Sequence, residues 1–550
     1  MALLNRLPLM VLLAGLGTLA MLVPAGYASA LGQDELATIF AMSALLLLVL
    51  VVVTGFASAA APSGDSTRAM LLTVVGTVTL LPALFAVPLM FALPDTGFFN
   101  AWWEMVSCLT TTGASLYSAE LLPAPLHLWR GLVGWMGGLF MLVAATAILA
   151  PLRIGGFEIL SSPYGREERI ERLPGSDRAR GADRERERQA HLSSPAFQTE
   201  LADPVSRIIR VGKTVLPIYA GLTLALWVLL LMLGDTGLVA ITRAMGTLST
   251  SGISPLSTNA GANNVVASGV AGEIVIFLFL LPALSRRFWP GGGELRASDT
   301  WREDPELRLA ALVVGVVALA LFARHFIGAI EITLAHGGEG GARQGGALAA
   351  AWGGLFNGLS YLTTTGWNSV EWQGARSWSG LTSPGLILAG LALMGGGVAT
   401  TAGGVKLLRV YALLRHSERE MEKLVHPNSI GGGGRMGRRL RAEGAFLAFV
   451  FFMLFAITLA VVVALVSLQR IEFESATILS VAAMTNTGPL AGAIPLTPTF
   501  EGSAGIAGAP WAGWAGLPDF TKAVLAGAMI VGRIETLAIL ALFNPELWRR

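Results

Sequence analysis

Four short hydroxyl-rich turns, each ending in glycine, are the segments of this sequence whose residue types and spacing best suit a chemical task. TTTG occurs at 110–113 and again at 363–366, and looser copies are STSG at 249–252 and TNTG at 485–488. The four glycines are 139, 114 and 122 residues apart, and each turn lies between two long apolar runs. A lone TTTG would more often be ordinary helix packing or a simple turn, whereas a unit repeated four times indicates a shared role.

Such turns would bind a dehydrated cation if their backbone carbonyl oxygens met on one axis. Four loops that each enter a bilayer halfway can converge in this way, and carbonyl dipoles can replace the water shell of an ion. Glycine permits the positive φ that turns successive carbonyls inward, and irregular backbone at membrane depth survives where it lines a watery cavity. We therefore predict an ion pore. The predicted coordinating residues are Thr110, Thr111, Thr112, Gly113, Ser249, Thr250, Ser251, Gly252, Thr363, Thr364, Thr365, Gly366, Thr485, Asn486, Thr487 and Gly488.

Long apolar runs supply the elements that would position these turns. Apolar residues make up 53% of the 550 residues and charged residues only 13%, against roughly 25% charged in a typical soluble domain. The chain is therefore predicted to be an all-α polytopic membrane protein. Runs of about 20 apolar residues predict ten transmembrane helices, at 8–30, 37–58, 70–93, 126–150, 210–233, 268–288, 307–334, 383–412, 443–468 and 521–543. Shorter runs predict pore helices at 99–110, 237–249, 348–362 and 474–485.

The predicted organisation is four pseudo-fourfold repeats of helix, pore loop and helix around a central ion pore. The predicted divisions are a two-helix hairpin at 1–62, pore repeats at 63–160, 205–298, 299–430 and 431–550, and a charged cytoplasmic linker at 161–204. An alternative for residues 8–30 is a cleavable signal peptide, because Arg6 precedes the run and Ala28-Ser29-Ala30 follows it. Alternating charges at 166–188 predict a solvated surface, with a docking site for a cytosolic subunit as the alternative. Four glycines at 431–434 predict a flexible tether.

Lysine and arginine set the predicted orientation. Nine basic residues lie in the connection at 152–190, four at 286–302 and nine at 406–441, whereas Arg343 and Arg376 are the clearest on the opposite side. Both termini are therefore predicted to be cytoplasmic, and the turns to open from the outside.

Several classes of function are disfavoured by composition. The net charge is only +2, and no basic patch has interleaved aromatic residues, so a nucleic-acid partner is not indicated. Cys108 is the only cysteine, which excludes an intrachain disulfide, and the six histidines lack the spacing of metal ligands. The sequence has no G-x-x-x-x-G-K-[ST] phosphate loop, so energy from ATP would have to come through a partner.

The four turns resemble the pore loops of the Trk/Ktr/HKT superfamily of potassium transporters, most closely its TrkH-type pore subunit. Two further stretches carry the resemblance, MGGGVATTAGGVKLLRV at 394–410 and MIVGRIETLAILALFNPELWRR at 529–550. The resemblance implies potassium as the substrate, because glycine ends all four turns; rubidium and sodium are further candidate ions. It also implies a homodimer with one pore per protomer, a cytosolic nucleotide-binding TrkA-like regulatory subunit, no cofactor in this chain, and a bacterial cytoplasmic membrane.

A glycine-rich stretch between 394 and 406 interrupts the predicted eighth span and is predicted to be a movable gate under the turns. So many glycines do not make a stable straight helix, although a close-packed kink is the alternative. Arg533 lies midway along the last span, where an unpaired charge is costly. Its alternative is a buried ion pair, although Glu535 lies on another helix face. The resemblance implies that Arg533 is an electrostatic barrier below the turns. The predicted gate residues are Gly395, Gly396, Gly397, Thr400, Thr401, Gly403, Gly404, Lys406 and Arg533.

Two charged residues fall within the predicted pore helices, where a charge needs a partner or water. Glu104 matches a position of the family and is predicted to tie its helix to the filter scaffold. Arg243 is a positive charge near a cation path and is predicted to face away from the axis. Acidic residues near the outer face would raise the local cation concentration, or are simply exposed loop acids. These are Asp95, Asp235, Glu371 and Asp519.

Three other functions stay open from the sequence. The potassium-binding subunit of an ATP-driven Kdp-type pump also has ten spans and four loops, and copurification with a P-type ATPase would favour it. A coupled cation symporter should show acidic or histidine residues at the midplane, and the ten spans show almost none. A membrane-embedded enzyme lacks any nucleophile–base or metal constellation.

Overall fold

A computed structural model of the chain describes residues 9–59, 66–150, 156, 204–256, 267–290, 304–335, 344–372, 385–426, 442–494 and 513–534. These residues form helices and connecting turns, with no β-strand among them. The α-helices are α1 (Leu9–Ala20), α2 (Leu22–Ala30), α3 (Asp34–Ala59), α4 (Ser66–Ala92), α5 (Phe98–Leu109), α6 (Ala124–Ala144), α7 (Pro204–Met232), α8 (Gly237–Leu248), α9 (Gly269–Leu280), α10 (Pro305–Ala335), α11 (Gln344–Leu362), α12 (Gly385–Met394), α13 (Leu407–Val425), α14 (Ala442–Ser467), α15 (Phe473–Met484), α16 (Leu490–Ala493) and α17 (Asp519–Ile534).

The outer faces of the long helices are apolar, as a bilayer requires. Phe56, Met232, Leu319 and Phe446 are each more than 60% exposed, and an apolar surface of this kind marks contact with lipid. Within the described residues, seven helical segments are long and apolar enough to cross a membrane. The chain is thus an all-α polytopic membrane protein, as predicted, while the total of ten spans stays a prediction.

Two spans that the sequence predicts to be continuous are interrupted in the structure. The run at 8–30 is divided at Met21 into α1 and α2. The run at 268–288 is α-helical only to Leu280, because Pro282 lacks an N–H and the chain tightens into a 3₁₀ turn over Leu281–Ala283. The residues that follow, from Leu284 to Trp289, are mostly buried rather than continuing the helix. The third predicted pore helix, at 348–362, begins earlier than predicted, at Gln344.

Each hydroxyl-rich turn follows a helix and precedes a second helix, in the predicted order; α11, the helix before the third turn, has 19 residues and is longer than predicted. The short helices α5, α8 and α15 have 12 residues each, too few to cross a bilayer. They form the centre of the packed core: α15, for example, is buried at nearly every position from Ser475 to Met484. The longer helices pack around them and face outward.

Some predicted features lie outside the described residues. These are the charged segment at 166–188, the tether at 431–434, Arg343, Arg376 and Glu535.

Candidate ion-binding site and gate

The four turns have the same backbone conformation at their second residue, which is left-handed in each. The φ values are 57° at Thr111, 54° at Thr250, 57° at Thr364 and 54° at Asn486. Residues with a Cβ rarely adopt this conformation, so four occurrences at matching positions reflect a constraint imposed by the surrounding structure. Sequence reasoning missed this feature, because it assigned the unusual φ to the glycines alone.

A second shared feature is the pairing of side-chain hydroxyls within each turn. The first and third hydroxyls lie 2.9 Å apart in Thr110–Thr112 and Ser249–Ser251, 3.0 Å in Thr363–Thr365 and 3.1 Å in Thr485–Thr487. The first hydroxyl also donates to a pore-helix carbonyl four residues earlier, at 2.7–3.0 Å. The first and third side chains are therefore held to their own turn. This arrangement suits a site in which main-chain carbonyls face the ion.

The four turns contact one another in a closed ring. A Cβ on Gly113 would collide with the carbonyl oxygen of Ser251, one on Gly252 with that of Thr365, and one on Gly366 with Pro489. The ring closes where the N–H of Gly488 donates to the carbonyl of Thr112 at 2.7 Å. All twelve side chains that precede the glycines are at most 1% exposed. The structure thus brings all sixteen predicted coordinating residues together.

The expectation that the glycine of each turn has a positive φ is wrong at one glycine, Gly488. Gly113, Gly252 and Gly366 have positive φ, of 73°, 60° and 79°, but Gly488 does not. Its successor is Pro489, and the ring of a proline pushes the preceding residue toward extended backbone. The fourth turn consequently leaves the ring in a different direction and enters the short helix α16.

The four helices that end at the turns create a field that favours a cation. Helices α5, α8, α11 and α15 end at Leu109, Leu248, Leu362 and Met484, each directly before its turn. A helix carries roughly −0.5 of an elementary charge at its C-terminus. Four C-termini therefore border one small ring, and this arrangement favours positive over negative ions.

Glu104 braces the first turn from its pore helix. Its carboxylate accepts a 2.8 Å hydrogen bond from the N–H of Leu116 and a 2.7 Å bond from Arg130 Nε on α6, and it is fully buried. Asn357 holds the corresponding place in the third unit, where its side-chain oxygen accepts from the N–H of Ser369 at 2.9 Å. Both residues lie six positions before the start of a turn. The predicted link of Glu104 to the filter scaffold agrees with this geometry.

Replacing Glu104 by alanine should destabilise the folded protein by about 3–5 kcal/mol, because it leaves Arg130 buried without its partner. The midpoint of thermal unfolding in detergent should fall markedly. The matched control is Glu120→Ala, which removes an exposed carboxylate from the same unit and should leave the midpoint almost unchanged. Equal midpoints for the two variants would show that the Glu104–Arg130 pair does not support the scaffold.

Arg243 is neutralised by a buried ion pair. Its guanidinium donates to Asp235 at 2.9 Å and to the hydroxyl of Ser268 at 3.1 Å, and it lies over the ring of Trp367. The expectation for Asp235 as an outer-face acid is therefore wrong, because this carboxylate is only 5% exposed. Asp95 and Asp519, by contrast, are exposed, and Glu371 is partly so.

A buried acid that sequence reasoning missed holds the third turn. Glu273 on α9 is 1% exposed and accepts hydrogen bonds from Trp352, from the hydroxyl of Ser369 and from the N–H of Val370. Its signal in the sequence is an acidic residue within an otherwise apolar run. All three of these hydrogen bonds come from residues of the third unit.

The glycine-rich stretch is an irregular loop between α12 and α13, directly against the turns. The N–H of Gly403 donates to the hydroxyl of Thr364 at 2.7 Å. A Cβ on Gly403 would collide with the carbonyl oxygen of Thr485, so the loop contacts two turns at once. Residues Gly395 and Gly404 have φ values of 73° and 76°, which a helix could not accommodate. The predicted interruption of the span is therefore present.

The far end of this loop is anchored to residues that the sequence did not single out. The N–H of Val398 donates to the carboxylate of Glu306 at 2.8 Å, and the N–H of Gly397 donates to the carbonyl of Ala283 at 3.0 Å. Glu306 is itself only 4% exposed, at the start of α10. Its signal in the sequence is Asp304-Pro305-Glu306, in which two acids flank a helix-starting proline.

Arg533 reaches the loop from the last helix. Its guanidinium donates to the carbonyl of Thr401 at 2.7 Å, while its Nε and the other terminal nitrogen find no hydrogen-bond partner among the described residues. The side chain is 4% exposed, and no carboxylate in the described part of the chain pairs with it. The neighbouring Gly532 packs against the carbonyl of Met484, which places this end of α17 beside the fourth turn.

The space enclosed by the loop is small. Gly403, Thr400, Lys406 and Arg533 line a cavity of about 20 Å³ together with residues of α6, which is room for roughly one water molecule. The ammonium of Lys406 donates to the carbonyl of Ala402. Two cationic side chains and the loop thus lie together next to the ring.

Comparison with known proteins places the chain among transporters. The Trk system potassium uptake protein TrkH of Salmonella typhimurium is 25% identical over 483 residues, which are 87% of this chain and 84% of that protein. TrkI of Halomonas elongata is 25% identical over 493 residues, or 87% and 83% of the two chains. The crystal structure of the potassium transporter TrkH from Vibrio parahaemolyticus covers 99% of this chain with a TM-score of 0.71 and 23% identity, and all of that chain is matched.

A family model adds the decisive match. The model described as TrkH, cation transport protein, matches residues 274–550, which is just over half of the chain and includes the third and fourth turns, the glycine-rich loop and α17. This chain therefore belongs to the TrkH family of cation transport proteins.

Proposed function

We propose that this protein takes up potassium ions across the bacterial cytoplasmic membrane through the ring of four turns. As a member of a cation transport family, it is a transporter and not an enzyme. The observation that carries the proposal is the closed ring itself, in which each turn contacts the next through the glycine that ends it or the residue after that glycine. The names of the Salmonella and Halomonas relatives, both potassium uptake proteins, supply the ion.

The ion pathway in this proposal runs through the ring and then past the glycine-rich loop and Arg533. The carbonyls of the sixteen turn residues replace the hydration shell, and the four helix C-termini stabilise the positive charge. Potassium then moves down its electrochemical gradient, to which the membrane potential contributes about 2.3 kcal/mol per charge for each 100 mV. No step in this pathway makes or breaks a covalent bond.

The loop at 395–404 acts as the gate in this proposal. It rests on the ring through Gly403 and is tied on its other side to Glu306 and Arg533. Conduction requires the loop to leave the ring, and the positive charges of Lys406 and Arg533 oppose an entering cation. By analogy with the family, the chain forms a homodimer with a pore in each protomer, both termini are cytoplasmic, and a TrkA-like nucleotide-binding subunit moves the gate.

Rubidium uptake tests the proposal. The purified chain is reconstituted into liposomes loaded with potassium and given external rubidium. The assay includes the Arg533→Ala variant because, in this proposal, the loop closes the path in the wild type. We expect liposomes with the Arg533→Ala variant, whether or not the wild type does the same, to take up rubidium faster than protein-free liposomes. Excess external potassium should inhibit this uptake more strongly than excess sodium. If neither protein exceeds the protein-free rate while both remain folded, the chain does not conduct these ions by itself.

Removing the hydroxyl that holds Gly403 should loosen the gate. Thr364→Val keeps the shape of the side chain but loses the 2.7 Å hydrogen bond from Gly403 N–H, which is worth about 0.5–1.5 kcal/mol. We therefore expect rubidium flux to rise by a few-fold. The control is Thr111→Val, which removes the equivalent hydroxyl of the first turn. The Thr111 hydroxyl has no hydrogen-bond partner among the described residues. Flux changes of equal size and sign in both variants would exclude a specific latch at Thr364.

A further inference from the structure

A deep apolar cavity lies on the outside of the ion pathway, between the first helices and α6 and α7. Its volume is about 720 Å³, within the range of roughly 300–1,000 Å³ that ligand pockets occupy. Helices α1, α3, α4, α6 and α7 all contribute to the wall. Among the described residues that line it, Thr77 is the only one with a polar side chain, and its hydroxyl already donates to the carbonyl of Thr73 at 2.7 Å.

The cavity lies mostly in one half of the bilayer. Thr77, Leu81 and Phe85 lie around the middle of the predicted span at 70–93, and Leu109 ends α5. The other lining residues come from 9–19 of α1, 51–56 of α3, 136–148 of α6 and its continuation, and 208–216 of α7. Each of these stretches is the half of its helix that the distribution of lysine and arginine predicts to face the cytoplasm. The cavity therefore belongs to the cytoplasmic leaflet in the orientation that we propose.

A basic side chain lies at the rim on α7. Ile209, Gly212 and Leu216 line the cavity, and Lys213 falls on the same helix face, four residues after Ile209 and three before Leu216. The Lys213 side chain is exposed. A lysine in this position extends its ammonium toward the membrane surface while its methylene stem covers apolar wall.

We propose that this cavity binds one acyl chain of an anionic phospholipid of the cytoplasmic leaflet, with the headgroup phosphate at Lys213. An apolar space of this size offers water no hydrogen-bond partners. Lipid acyl chains are the apolar molecules that surround it. Basic residues between helices on the cytoplasmic side are the feature that recognises anionic headgroups. The site opens to the lipid-facing surface, since lining residues such as Leu16 and Phe56 are exposed, and it differs from that surface in being a concave space with walls from several helices.

The lipid would contact one side of α6 and its continuation, and the opposite side of the same helix faces the proposed gate. Phe140, Val143 and Ile148 line the apolar cavity, whereas Met141, Ala145 and Leu149 line the small cavity beside Arg533. Both sets include residues of a π-helical segment, Ala145–Leu149, a conformation that is frequently found at functional sites. One helix wall thus separates the lipid from the proposed gate.

Photolabelling tests the site on the wild-type chain. The protein is incorporated into bilayers that contain phosphatidylglycerol with a diazirine in the acyl chain, and the labelled peptides are identified by mass spectrometry after illumination. We expect label on residues within 9–19 and 208–216, and its displacement by unlabelled phosphatidylglycerol. Label spread evenly over the exposed apolar faces, or absent from these two stretches because another part of the chain fills the cavity, would overturn the proposal.

Two substitutions sharpen the test. Gly212→Phe places a ring in the cavity at a position where an added Cβ meets nothing within 4 Å, and it should abolish most of the labelling; Gly221→Phe, on the same helix but outside the cavity and equally unobstructed, should retain it. Lys213→Gln should reduce the preference for phosphatidylglycerol over phosphatidylcholine. Full labelling of Gly212→Phe, or an unaltered preference in Lys213→Gln, would contradict the site. Neither result depends on ion flux, so failure here is distinct from failure of the transport proposal.

Discussion

Replacing Arg533 by alanine should raise rubidium flux through the reconstituted protein by about tenfold or more. The substitution removes a buried positive charge from the small cavity beside the loop at 395–404, together with the hydrogen bond to the carbonyl of Thr401. Each ~1.4 kcal/mol removed from a barrier is a tenfold gain in rate, and charge repulsion in a poorly solvated pathway exceeds that amount easily. Because two nitrogens of Arg533 are unpaired within the described structure, its loss should not unfold the protein.

Arg533→Lys separates the two contributions. Lysine keeps the charge but not the planar guanidinium, so we expect it to conduct less than the alanine variant. Thermal unfolding and the size of the purified particle establish that each variant is folded. Unchanged or abolished flux in folded Arg533→Ala would rule out the barrier role and would favour a purely structural task for this residue.

The second large effect is expected at the first turn. Gly113→Ser should lower the preference for potassium over sodium by about tenfold, which corresponds to a loss of ~1.4 kcal/mol of discrimination. The added Cβ would collide with the carbonyl oxygen of Ser251, and φ at this position is 73°. The collision should displace that carbonyl and widen the ring. Competition of sodium and potassium against rubidium uptake measures the ratio.

The matched control for Gly113→Ser is Gly97→Ser in the same unit. Gly97 precedes α5 with a φ of −69°, and a Cβ there meets nothing within 4 Å. Its selectivity should equal that of the wild type. If Gly113→Ser also kept the wild-type ratio, Gly113 would not belong to the selective site.

Much of the site could be predicted from the sequence, because its elements are local. The four turns are recognisable by composition and spacing, and the glycine run at 395–404 is incompatible with a continuous helix. Arg533 is conspicuous as a charge within an apolar run. In each case a few adjacent residues carry the physical signal, so no knowledge of distant contacts is needed.

Other features depend on contacts between distant parts of the chain. The pairing of Arg243 with Asp235 and Ser268 was not foreseen, since a pore-helix arginine suggested only that it should face away from the axis. The left-handed backbone at the second residue of each turn arises from packing around the ring, and the residue types at these positions do not predict it. Glu306 gains its role only because Val398, far along the chain, reaches it.

The four units are alike in backbone but differ in how each is braced. The position six residues before each turn is Glu104, Arg243, Asn357 and Leu479. Glu104 and Asn357 accept a hydrogen bond from the chain just beyond their own turn, Arg243 uses a separate ion pair, and Leu479 packs in the apolar core. The ring therefore tolerates different supports: all four are buried, and the three polar ones each make at least one hydrogen bond.

Rubidium located by anomalous X-ray scattering in crystals of this chain is the most direct test of the central claim, that the four turns form one cation-binding ring. We predict an anomalous peak on the axis of the ring, within coordination distance of main-chain carbonyl oxygens from all four turns, and no such peak in crystals grown without rubidium. A ring without a peak, with rubidium bound elsewhere in the protein, would contradict the account.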